Sequence, residues 1–420
     1  MMSAVAASPL ADLGAAGQAA SSPSRRAPFT IAVTLLLLSV TVFERFGVNF
    51  GSYSLNLAIP VMYGVLLFAA FTGAIAVSIP RLVIYLLCMA TAVTSMFLNP
   101  DRSSSTSLML LATIYLPFAF VVTPRSSVTP EAVLRIFLEI GFACALVGIA
   151  QFYLQFVFYR DWLFDYTGYI PTVLRGPSGF NTVIRVGAHY KSNGFFFREP
   201  SGFSFIMALA LVAEHLTARR WLRLACFALA LLISYSGTGL LALAIGMMVP
   251  LNRRTLTRAV LLGLAALLLY FLLDGVLNLS FTLGRVNEFG SERSSAYIRY
   301  VAPARLLHDT LTSDLWSPWF GHGPGTITRA AMTYEFHDPT WAKLLYEYGV
   351  LGFISFQVLL LAICRRSPAA LSVRAILFAA WLVMGGHLLS PEQDYLTLAL
   401  AGLFPVASAE GREELSPAPR

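Results

Sequence analysis

The chain has 420 residues, 57% of them hydrophobic and only 12% charged, with a mean hydropathy of +0.70. Soluble domains carry about 25% charged residues, so a water-soluble globular enzyme is excluded and an all-α integral membrane protein is expected. The net charge of +7 is almost all arginine, with Lys191 and Lys343 the two lysines; its placement in loops reads as topology and not as a nucleic-acid surface.

Residues 1–27, rich in Ala, Ser, Gly and Pro, read as a disordered cytoplasmic tail. A signal peptide is disfavoured, because the first long apolar run starts after Arg26 and no small-residue cleavage site clearly follows it. A polytopic region over 28–409 follows, with 410–420 as a cytoplasmic C-terminal tail. Twelve transmembrane helices are predicted, near 28–44, 53–77, 81–98, 106–123, 132–158, 201–217, 220–235, 237–251, 258–277, 340–363, 373–390 and 395–409. With the N-terminus inside, the inner loops carry Arg81, Arg125, Arg219, Arg220, Arg253, Arg254, Arg258, Arg365, Arg366 and Arg374. The short outer loops carry little: Arg45 beside Glu44, Arg102 beside Asp101, then Ser236 and Gly237, then Glu392 and Asp394. This alternation satisfies the positive-inside rule and puts both termini in the cytoplasm.

Two long segments, 159–200 and 278–339, then fall on the outer face. They hold Trp162, Tyr166, Tyr169, Tyr190, Trp316 and Trp319, and most of the cations that the orientation rule does not explain, which points to an anionic ligand there. Four stretches in and around these segments could carry chemistry. NGFFFREPSGFS (193–204) sets Arg198 and Glu199 at the mouth of a helix whose first turn suits Pro200; the alternative is an ion pair that only anchors the helix. In RSSAYIRYVAPARLLHD (293–309), a helix would put Arg305, His308 and Asp309 on one face, kinked or ended by Pro303, with Arg299 on its polar side; the alternative is an amphipathic helix lying on the membrane. GHGPGT (321–326) lets backbone approach a ligand at Gly323 and Gly325, or is a simple turn. It is not a P-loop, since no GK[ST] follows.

The fourth stretch, EFHDPTWAKLLYEYGVLG (335–352), sets His337 where a polar loop meets an apolar helix, with Asp338 as the expected N-cap and Pro339 at the first helical position. Lys343 and Glu347 are i, i+4 neighbours that could neutralise each other, and Gly349 and Gly352 suit close helix contact. His337 reads as the reactive group, although a lone histidine at a helix start also has a purely structural reading. Glu139 and His387, both inside predicted spans, find no role in this pattern. Cys88, Cys144, Cys226 and Cys364 form no CxxC pair, so neither a zinc site nor a disulfide framework is indicated.

These stretches together resemble the bacterial O-antigen polymerases and O-antigen ligases. NGFFFREPSGFS is similar to the family's arginine-bearing stretch before the central span. Ser234, Ser236 and Gly239 in SYSGTGLLALAIG match an S-x-S-x-x-G helix. Arg299 followed by GHGPGT resembles an R…G-x-G-x-G run, and His337, Glu347, Gly349 and Gly352 match an H-N…E-x-G-x-x-G signature. Asparagine commonly follows that histidine in the family, whereas this chain has Asp338, a departure that leans toward an exopolysaccharide-type polymerase. The resemblance implies a GT-C-like, metal-independent and cofactor-free glycosyltransferase of the bacterial inner membrane. Its donor would be a glycan on undecaprenyl diphosphate. Its acceptor would be a second lipid-linked repeat unit (polymerase) or lipid A-core (ligase). A flippase, a chain-length regulator and membrane lipid are the implied partners. His337, Arg299 and Arg198 are the implied catalytic residues, with Arg185, Arg305, Glu199, Gly323 and Gly325 toward the diphosphate and glycan. A transporter or lipid flippase is the rival of another class. It predicts internal repeats and broken helices in matching halves, and no convincing repeat is seen.

Overall fold

The computed structural model describes residues 26–50, 53–123, 126, 128–158, 160–176, 179–254, 256, 257, 260, 261, 263, 264, 268, 294, 297–311, 313–334 and 338–404. The first part is helical: α1 (Arg26–Thr41), α2 (Ala58–Phe71), α3 (Ile79–Leu98), α4 (Ser105–Tyr115), α5 (Pro130–Val157), α6 (Pro200–Leu216), α7 (Trp221–Ile233) and α8 (Gly237–Met248). After the second long loop come α9 (Ala302–Thr310), α10 (Ser317–Phe320), α11 (Ile327–Tyr334), α12 (Thr340–Arg365), α13 (Leu371–Ala379) and α14 (Pro391–Thr397). Wider π-type turns lead into α9 and extend α13 and α14, the last as far as Gly402. Among the described residues, α3, α5 and α12 are long and apolar enough to cross a membrane, and seven shorter apolar helices accompany them. The ninth predicted span, over 258–277, lies almost wholly outside the described residues.

Local sequence explains the helix starts. Ser104 accepts the Ser107 N–H through its side chain at 3.3 Å, and Thr129 accepts that of Ala132 at 3.3 Å. Pro130, Pro200 and Pro391 occupy first turns, where a missing N–H costs nothing. Three antiparallel strand pairs join Gly47–Phe50 with Tyr53–Asn56, Ile75–Val77 with Phe120–Val122 across α3 and α4, and Arg185–Val186 with His189–Tyr190. The first two occupy residues that the sequence pattern assigns to spans 2 and 4, so those helices are shorter than expected.

The core centres on α6, where Phe203, Met207, Ala208, Leu209 and Ala210 are fully buried. Gly239 lets α8 close on it: a Cβ there would stand 2.6 Å from the Ser204 carbonyl oxygen, and its N–H donates to Ser204 Oγ at 3.1 Å. Gly246 serves the same crossing against Val212 and the neighbouring Ile376 of α13.

α12 is broken at Gly349, whose φ of +65° favours glycine. The carbonyls freed there are taken up by the GHGPGT stretch: His322 N–H donates to Tyr346 O at 2.8 Å and Gly323 N–H to Glu347 O at 3.0 Å. Ser95 Oγ also donates to Glu347 O, at 2.6 Å. Irregular backbone at membrane depth survives only when protein satisfies it in this way. One local expectation needs correction: the N-cap position of α12 is Pro339 and not Asp338. Lys343 donates to Asp338 Oδ2 at 2.6 Å, its side chain pointing back toward the helix start, and Glu347 adds an opposite charge beside it, as the i, i+4 spacing implies.

Candidate active site

One set of helix ends converges on a cavity of about 390 Å³. The end of α1 brings Glu44 and Arg45, the segment before α2 brings Asn56, the mouth of α6 brings Arg198 and Glu199, and α8 brings Thr238. Arg299, Asp338, His387 and Glu392 also line the cavity, with Ser201, Ser390 and Gln393. These are the ends that the arginine distribution assigns to the outer side. The opposite ends meet elsewhere: Arg81 donates to Gly402 O at 2.6 Å, joining the start of α3 to the end of the chain's last described helix.

The charges are arranged unequally. Arg198 pairs with Glu199 at 3.3 Å, and its backbone N–H donates to Glu44 Oε1 at 2.8 Å. Burial opposes the Arg198 charge, but Glu199, Glu392 and Glu44 outweigh it and raise its pKa. Burial likewise works against the Glu199 carboxylate, yet Arg198 and Arg299 hold its pKa below the usual range. Asn56 Nδ2 donates to the Glu44 carbonyl at 3.1 Å and to Glu392 Oε2 at 3.3 Å, tying two acidic segments together. Burial pushes the Glu44 carboxyl up to about 7; Glu392 adds to the rise, and Arg198 and Arg45 oppose it. Asp338 is committed to Lys343. Arg299 donates to Thr238 Oγ1 at 3.1 Å and makes no ion pair among the described residues. His387 is lowered to about 4 by burial and by the Arg299 and Arg198 charges beside it, so its imidazole is neutral at pH 7. The carboxylates are thus largely engaged, while Arg299 makes no ion pair among the described residues and the three Arg45 guanidinium nitrogens are buried without hydrogen-bond partners there, an arrangement suited to an oxyanion.

The predicted residues divide. Arg198, Glu199 and Arg299, drawn from stretches about a hundred residues apart, share the cavity. His337 lies outside the described residues; its chain neighbour Asp338 lines the cavity. Arg185 is exposed and bonded to Tyr190, and Arg305 is exposed and donates to the Tyr297 hydroxyl at 2.6 Å. Neither lines the cavity. Gly323 and Gly325 pack instead on the start of α4: a Cβ at Gly323 would lie 2.1 Å from Ser103 Oγ, and one at Gly325 would lie 2.8 Å from Ser104 Cβ. Other outer cations serve their own loop, Arg175 donating to Ile170 O and Lys191 to Tyr235 O. Among the described residues, no group of three or more His, Cys, Asp or Glu side chains is placed to hold a metal ion.

Sequence reasoning missed Glu44, Arg45, His387 and Glu392. The available signal was weak: an acid–base tandem where a span ends, and an unexplained histidine at the end of another. Helices long and apolar enough to cross a membrane, with an arginine- and carboxylate-lined cavity where one set of helix ends meets, define a membrane protein with a charged chamber. The particular family follows from comparison: residues 32–404 match the model of the WcaD colanic acid polymerase family, and the chain belongs to it. The family places the chain among the polymerases of exopolysaccharide biosynthesis, membrane glycosyltransferases acting on a lipid-linked glycan. A search of curated proteins finds no match.

Proposed function

We propose that this chain polymerises undecaprenyl-diphosphate-linked oligosaccharide repeat units at the outer face of the bacterial inner membrane, with both termini cytoplasmic. The observation that carries the reading is the meeting of Arg198, Arg299 and the residue next to His337 in one polar cavity at the helix ends. Arg198 and Arg299 hold the donor diphosphate and stabilise the negative charge that develops as it leaves. His337 takes the proton from the acceptor hydroxyl. The hydroxyl oxygen bonds to the donor's anomeric carbon, the bond from that carbon to the phosphate oxygen breaks, and the lipid diphosphate departs. Direct attack inverts the anomeric centre. The guanidinium groups supply the positive charge that the leaving group requires, which favours transfer without a metal. The family match is to polymerases, so transfer to lipid A-core as an O-antigen ligase is the less favoured reading.

The test is the length profile of lipid-linked glycans in cells carrying His337→Ala at normal membrane levels of the protein. Accumulated single repeat units without long chains support a polymerase with His337 as its base. Long lipid-linked chains that fail to reach lipid A indicate a ligase. An unchanged profile removes His337 from the chemistry.

A further inference from the structure

We propose that Arg45 forms a second anion subsite in this cavity, taking an oxyanion of the substrate other than the one held by Arg198 and Arg299; the subsite rests on the donor reading above. Arg45 stands just past the end of α1 and is only 2% exposed. None of its three guanidinium nitrogens has a hydrogen-bond partner among the described residues. The guanidinium carbon lies 5.1 Å from the Tyr166 ring centre and 5.7 Å from that of Phe180. Aromatic faces attract a cation but leave its five N–H donors unanswered. A buried charge in that condition is costly, and such groups are paired or hydrogen-bonded in working proteins. Glu44 and Asp165 act on the Arg45 guanidinium as counter-charges without hydrogen-bonding it: the Glu44 carboxyl accepts the Arg198 N–H and is half protonated near pH 7, and Asp165 Oδ1 accepts the Thr167 N–H.

The site is built rather than incidental. The Gly176 N–H donates to the Arg45 carbonyl at 2.7 Å, and a Cβ at Gly176 would lie 2.7 Å from that oxygen, so the outer loop closes tightly around this position. Phe46 forms an antiparallel bridge with Arg175. Tyr166 stacks on Phe195 at 4.8 Å and meets Phe180 edge-on at 5.3 Å. Arg45 therefore sits at the base of an aromatic wall contributed by residues 166–195, whereas Arg198 and Arg299 are held from α6 and α8 through Glu199 and Thr238. One fixed cation flanked by ring faces fits a carboxylate or phosphate carried on a sugar, whose apolar faces stack while its oxygens take the guanidinium fork. Both oxyanions share that fork geometry, so the experiment must separate them.

The experiment uses the full-length protein in detergent micelles. The probes are geranylgeranyl diphosphate and galacturonate, and affinity is read from ligand-induced shifts of the thermal unfolding midpoint. Arg45→Met keeps the length and removes the charge. Its ligand-free midpoint is expected at or above that of the wild type, and its apparent affinity for galacturonate is expected to fall at least about tenfold with the diphosphate affinity kept. A loss for galacturonate alone supports the second subsite; a loss for the diphosphate places Arg45 with Arg198 and Arg299 on the donor diphosphate and overturns it. If Arg45→Met does not accumulate, Arg45→Lys carries the test with the same expected loss, because an ammonium cannot present the fork. Wild-type affinity for both probes in these variants overturns the proposal, as does a lowered ligand-free midpoint with binding unchanged, which makes Arg45 a structural clamp. Wild type that binds neither probe overturns the donor reading and the subsite together. Wild type that binds galacturonate through Arg45 but ignores the diphosphate overturns the donor reading alone.

Discussion

Replacing Glu44 by glutamine should change how stability depends on pH. The Glu44 carboxyl lies beyond the last residue of α1, accepts the Arg198 backbone N–H at 2.8 Å, and is raised by burial from 4.5 to about 7. The folded state therefore holds this proton more tightly than the unfolded state. Its contribution to stability is complete below pH 4.5 and is lost as pH climbs to about 7. At about 1.4 kcal/mol per pH unit, the wild type gives up about 3 kcal/mol across that window. Glutamine presents the same acceptor oxygen to Arg198 and has no proton to lose. Glu44→Gln should therefore gain on the wild type by about 3 kcal/mol between pH 4.5 and 8, read as a midpoint difference of a few degrees that opens with rising pH. Thermal unfolding in detergent, followed by intrinsic fluorescence at half-unit pH steps, measures it. A difference that stays constant with pH, or a variant less stable than the wild type at pH 8, refutes the reasoning.

Other consequences follow from the packing around the cavity. Gly349→Ala puts a side chain on a residue at φ +65° and a Cβ 2.3 Å from the Trp319 carbonyl carbon. It should lower stability by about 3 kcal/mol or more, while Gly64→Ala, which meets nothing within 4 Å, stays within about 0.5 kcal/mol; thermal unfolding of the pair checks both. Arg185→Ala and Arg305→Ala remove exposed cations bonded to nearby tyrosines, and polymer length in cells should stay close to normal. A strong loss in either would extend the substrate path out of the cavity into the loops.

Much of the helical content was legible because apolar runs obey the bilayer's demands directly. The start of α6 at Pro200 and of α12 beside Pro339 fell within a residue or two of the expectation. What escaped were features decided by tertiary contact. Glu347, Gly349 and Gly352 look like ordinary helix spacing; only the backbone of α10 and the GHGPGT stretch, pressed against Gly349, dictates the break. Lys343 acts on Glu347 as expected, and its hydrogen bond to Asp338 was set by side-chain direction. In the cavity, Arg198 and Arg299 were visible as cations that the expected topology leaves unexplained. Arg45 was hidden because it sits one residue from Glu44 and reads as a neutralised pair. Its isolation depends on the loop folded over it, more than a hundred residues later in the chain.

The most direct test of the central claim is the lipid-linked glycan profile of cells carrying Arg299→Met, compared at matched membrane levels of the protein. Arg299 reaches the cavity through Thr238 and has no carboxylate partner within ion-pair distance among the described residues. Removing it should cut transition-state stabilisation by about a hundredfold or more, so single lipid-linked repeat units accumulate and long polymer disappears. A polymer of wild-type length and amount in these cells would contradict the assignment of this cavity as the transfer site.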